Sequence, residues 1–93
     1  MKNDMKEIIK QYRKLEELIN IKAVEIFDVY ITYFPQGGGT FITEILIQED
    51  DGIYINWIVM IGYRCREERL RIPIDVFYGN WLKWVADQVN GEL

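Results

Sequence analysis

The chain contains no histidine and no serine, and its 93 residues include a single cysteine, Cys65. Without an imidazole or a serine hydroxyl, neither Ser-His-Asp nor Cys-His catalysis can be assembled within one chain. A structural zinc site needs Cys and His ligands in groups, so no metal is expected. One cysteine cannot close an internal disulfide, which makes a reducing cytoplasm the expected compartment. Positive charge is also scarce: 11 basic side chains face 15 acidic ones, a formal charge of −4 that opposes indiscriminate binding to nucleic acid or anionic lipid. The amino-terminal stretch alternates charged with apolar residues, so it reads as neither signal peptide nor membrane span.

Apolar residues are plentiful, at 49% with 14% aromatic, so disorder is excluded and one globular domain over residues 1–93 is expected. From Asp4 to Asn20, Met5, Ile8, Ile9, Tyr12, Leu15 and Ile19 keep the rhythm of one helical face. Asp4 with Glu7 suggests a capping box, and Asn20 a stop. Three runs rich in β-branched and aromatic residues follow, at 24–34, 40–49 and 53–63, and they predict three long strands in a meander. The second connection, Asp50-Asp51-Gly52, predicts a hairpin that pairs Glu49 with Ile53 and places Gly52 in the left-handed region. Phe34 pairs with Thr40 across the loop 35–39 in the same reading. Odd positions, including Phe41, Ile45, Ile55, Trp57 and Tyr63, then form the core face, while Asp28, Tyr30, Glu44, Tyr54 and Ile58 fall on a mixed face.

Four of the five arginines stand in RCREERLR, residues 64–71. With Glu67 and Glu68 as a turn, Arg66 pairs with Arg69 and Arg64 with Arg71, all four share one face, and Cys65 points to the core. A short fourth strand follows and is closed by Pro73. Beyond it, Asp75 or Asn80 caps a C-terminal helix carrying Phe77, Trp81, Trp84, Val85 and Gln88, widened by Leu82 and Val89. Gly79 predicts a break before Trp81, and Gly91 the stop. The fold class expected is therefore α+β, in the order α-β-β-β-β-α.

No cofactor is implied. The glycines of QGGGT lack the lysine of a phosphate loop and lead into a strand, and the acids at 49–51 lack the spacing of an EF-hand. Asp28 with Glu44 is the one carboxylate pair to consider for acid-base work, and Tyr30, Tyr54 and Trp57 the aromatic set for an apolar pocket. What remains is recognition. A non-enzymatic protein-binding module is expected, with Arg64, Arg66, Arg69, Arg71, Glu49, Asp50, Asp51, Tyr54 and Ile58 as candidate contact residues. A homodimer through the mixed sheet face, with a structural or small-ligand role, is the second reading. Nucleic-acid or anion binding through the arginines is the third. A small acidic domain of this layout resembles phage-encoded inhibitors of host defence, including some anti-CRISPR proteins, and also bacterial immunity proteins and antitoxins. The likeness is one of element order, and the inhibitory role is what it implies.

Overall fold

A computed structural model describes residues 2–48 and 50–92. Helix α1 spans Lys2–Tyr33, strands β1, β2 and β3 span Gly39–Gln48, Gly52–Ile61 and Arg64–Pro73, and two helices close the chain, α2 at Ile74–Phe77 and α3 at Trp81–Glu92. The strands form one antiparallel sheet in the order β1-β2-β3. The α+β class and the meander stand. Among the described residues there are three strands, not four, because the expected first strand is helix; the last two remain separate, with the turn between them moved to residues 62–63.

Residues 24–33 prolong the first helix, and Phe34 lies just beyond its end. Their Val, Ile, Thr and Tyr content favours a strand, but Ile19, Ala23, Ile26, Phe27 and Tyr30 keep the i, i+3, i+4 spacing, and burial of that stripe overrides a propensity cost of about 0.5 kcal/mol per β-branched residue. Ala23, Ile26 and Phe27 are buried. The helix starts at Lys2, so Asp4 lies inside it rather than at its cap, and it passes through Asn20. Pro35 ends it, since the residue before a proline is driven out of the α region. Phe34 N–H still closes on the Tyr30 carbonyl at 2.9 Å.

The β1-β2 hairpin pairs Gln48 with Gly52 and Ile47 with Ile53, two residues off the expected register, so the odd positions still share a face. Gly52 is not left-handed. It is required because a Cβ there would stand 2.3 Å from the Ile72 carbonyl oxygen. A bulge between Ile42 and Glu44 reverses the parity of the first half of β1. Ile42 thereby turns to the helices and packs on the core, while Phe41, expected inside, is 57% exposed.

The β2-β3 turn is Gly62-Tyr63, not Glu67-Glu68, with Ile61 paired to Arg64. Gly62 has φ +61° at the first of two loop positions, where a type II′ hairpin turn needs glycine. Tyr63 is accordingly fully exposed rather than in the core.

The core lies between the sheet and the helices. Ile53, Ile55, Trp57 and Val59 of β2 and Leu70 and Ile72 of β3 meet Ala23, Ile26 and Phe27 of α1, Phe77 of α2 and Val85 of α3. Phe27 stands edge-on to Trp57 at 5.0 Å between ring centres. The break at Gly79 occurs as expected, and Asn80 Oδ1 accepts from Lys83 N–H at 3.2 Å as the cap of α3. The helix continues through Gly91 to Glu92, and Leu82 and Gln88 are exposed. The Val89 side chain lies outside what the structure describes. No helix among the described residues is long and apolar enough to cross a membrane.

Candidate binding face

All three helices contribute to the one core, on one side of the sheet, and among the described residues no helix packs on the other side. Alternation along β2 and β3 assigns the open side to Tyr54, Asn56, Ile58 and Met60, and to Cys65, Glu67, Arg69 and Arg71. On β1 it carries Phe41, Glu44 and Leu46, the first through the bulge.

The four arginines therefore do not share a face. Arg64 and Arg66 alternate with Leu70 and Ile72 on the helix side, at the end of β3 that the helices leave uncovered. Arg66 Nε pairs with Glu68 Oε1 at 2.6 Å, and its Nη2 donates to the carbonyl and side-chain oxygens of Gln36, both at 3.4 Å. Arg69 and Arg71 belong to the open side. Cys65 is exposed there, not in the core, because moving the turn to Gly62-Tyr63 changes which residues face the helices.

A chain of polar contacts crosses all three strands of that side. Asn56 Nδ2 donates to Glu44 Oε2 at 3.4 Å and Asn56 Oδ1 accepts from Arg69 Nε at 2.8 Å. The Arg69 guanidinium lies 5.2 Å from the Tyr54 ring centre, a cation over a π face. Tyr54 Oη donates to Asp51 Oδ2, and the other carboxylate oxygen accepts from Arg71 Nε at 2.8 Å and Nη2 at 2.5 Å. Arg71 Nη2 also donates to the Asp51 main-chain carbonyl at 3.1 Å. The Arg71 hydrogen bonds, with that of Tyr54, hold the Asp51 carboxyl below its ordinary pKa, and the same carboxylate raises the Tyr54 phenol and the Arg71 guanidinium above theirs. These side chains are thus held by one another across the face. Beyond the polar chain lies an apolar end made of Phe41, Ile58 and Met60, of which Phe41 and Met60 are exposed.

Of the expected contact residues, the fold brings Asp51, Tyr54, Arg69 and Arg71 together, with Ile58 on the same face. Asp50 sits exposed in the adjoining turn, Arg64 and Arg66 are on the opposite face, and Glu49 lies outside the described residues. Asp28 and Glu44 are not brought together, since Asp28 is on α1 and Glu44 on the uncovered side. The aromatic set is divided likewise: Tyr30 packs near Trp57 at 6.1 Å, while Tyr54 is across the sheet. Asn56 was not singled out by sequence reasoning, although a lone amide between Tyr54 and Ile58 in an otherwise apolar strand marks a polar position. Phe41 was concealed by the bulge. Among the described residues no group of three or more Cys, Asp or Glu side chains could hold a metal ion. No protein-family model matches the chain, and neither a curated protein nor a solved structure matches it.

Proposed function

We propose that the chain is a non-enzymatic protein-binding module whose working surface is the open side of the sheet. One observation carries the reading: a sheet face with no helix over it presents an arginine stacked on a tyrosine, both held by neighbours, beside an apolar patch. Arg and Tyr are the residue types that anchor protein interfaces, and side chains ordered in advance lose little entropy on binding. The lack of histidine and serine weighs against catalysis. A phosphate-binding role has less support, because Arg66 and Arg71 are already ion-paired and Arg69 shares its face with Glu44 and Glu67. Inhibition of a host or defence protein, the role suggested by layout, is one form such a module takes.

The test is capture of proteins from source-cell lysate by the tagged chain and by two variants. Arg69→Glu with Ile58→Asp removes the stoichiometric partner, while Arg64→Glu, on the other face, retains it. Retention by the first variant, or recovery of nucleic acid in place of protein, overturns the reading.

A further inference from the structure

The geometry points to self-association, in which a second copy of this chain adds to the free edge of β1 and lies beneath the bare amino-terminal half of α1. The helix crosses the sheet obliquely. Tyr12, Glu16 and Asn20 stand beside Ile45, Leu46 and Ile47 of β1. Phe27 and Tyr30 lie over Trp57 of β2, and Gln36, past the helix end, reaches Arg66 of β3. At 1.5 Å per residue, about 15 Å of helix before Tyr12 extends off the β1 edge. The radius of gyration of 16.0 Å, against roughly 13 Å for a compact chain of about this length, registers the same extension.

The extended part is not a solvated arm. Met5, Ile8, Ile9, Tyr12 and Leu15 continue the stripe that Ile19, Ala23 and Ile26 bury against the sheet, yet they are 49–62% exposed. They face the space that a widened sheet would occupy. Below them the sheet is unfinished in the matching way: Ile42, Ile45 and Ile47 of β1 are less covered than Ile53 and Ile55 of β2, with Ile47 37% exposed.

The two sheet edges also differ. β3 carries six charged side chains and ends in proline, the usual protection against edge pairing, whereas β1, GTFITEILIQ, carries one charge and no proline. Charge selects the occupant. Between residues 5 and 14, Lys6, Lys10, Arg13 and Lys14 oppose only Glu7, leaving 7 basic against 14 acidic side chains in the rest of the chain. A cationic arm and an anionic body complement each other between copies, and a two-fold axis beside β1 uses both contacts twice.

Light scattering at micromolar concentration should return twice the 11.1 kDa chain mass, with dissociation promoted by salt. Ile8→Glu with Tyr12→Glu alters two side chains that are each 61% exposed, so the variant keeps its helical circular dichroism and becomes a monomer. In the native chain, alternate β1 amides are protected from hydrogen exchange, and in the variant they are not. A monomer at all concentrations up to the hundred-micromolar range overturns the inference. So does a dimer that survives the double variant but is broken by Ile58→Asp, which would place the contact on the open sheet face.

Discussion

Ile26 and Val24 test whether residues 24–33 are helix, since a strand would put both on one face and the helix does not. Ile26 is fully buried beside Phe27 in the core, whereas Val24 is 39% exposed. Ile26→Ala removes buried methyl and methylene groups and leaves a cavity against β2, at a cost of about 2–5 kcal/mol. Val24→Ala loses partial cover but gains helix propensity of about 0.5 kcal/mol, so its net change stays small. With a urea dependence of roughly 1.5 kcal/mol per molar for a domain of this size, the Ile26 variant unfolds at a midpoint roughly 1–3 M lower. The Val24 variant is nearly superimposable on the parent. Urea titrations followed by far-ultraviolet circular dichroism must be run at one fixed protein concentration, because association would add to the apparent stability. Phe27→Ala completes the comparison: it is as costly as the Ile26 substitution in a helix, but on the opposite face from Ile26 in a strand. Equal small losses at 24 and 26, or a harmless change at 27, would refute the assignment of this segment to α1.

Two further outcomes follow from the turn and the polar chain. Gly62→Ala should cost about 1–2 kcal/mol, because a Cβ is strained at φ +61°; an unchanged or raised urea midpoint would show that the turn tolerates it. In the titration of Tyr54, followed by the carbon resonance next to its hydroxyl, the phenol ionises above its ordinary value of 10.0, and Asp51→Asn returns it toward that value. The sign is set by the partner. Tyr54 has a raised pKa in the folded chain, so its contribution to stability is complete below the ordinary value and is lost as pH rises through the folded one. Asp51 is the reverse, contributing above the ordinary carboxylate range and losing that contribution as pH falls through its lowered value. No shift of Tyr54 in the Asp51 variant would remove the hydrogen bond from the description of this face.

Composition and local pattern alone determined the α+β class, the β1-β2 hairpin with odd positions 45, 47, 53, 55, 57 and 59 on the helix side, the break at Gly79 and Asn80 as one of two candidate caps. Each follows from neighbours in sequence: period-two burial, a turn composition, a missing Cβ, a side chain that can accept from the N3 amide. The lack of histidine and serine likewise rules out Ser-His-Asp and Cys-His arrangements within one chain from the sequence itself. Tertiary structure decided what local pattern leaves degenerate. VEIFDVYITYF is so apolar that both periods fit it, and the choice fell to helix because Ile26 and Phe27, adjacent in sequence, bury together against Trp57. RCREERLR satisfies alternation whether its turn lies at Glu67-Glu68 or before Arg64. The positive φ open to glycine places the turn at Gly62, and with it Arg69 and Arg71 move to the face opposite Arg64 and Arg66. The bulge near Thr43 exchanges Ile42 and Phe41 between faces by inserting one residue. Parity is a local property, but the place where it reverses depends on which strand lies alongside, and that is known only once the sheet has formed.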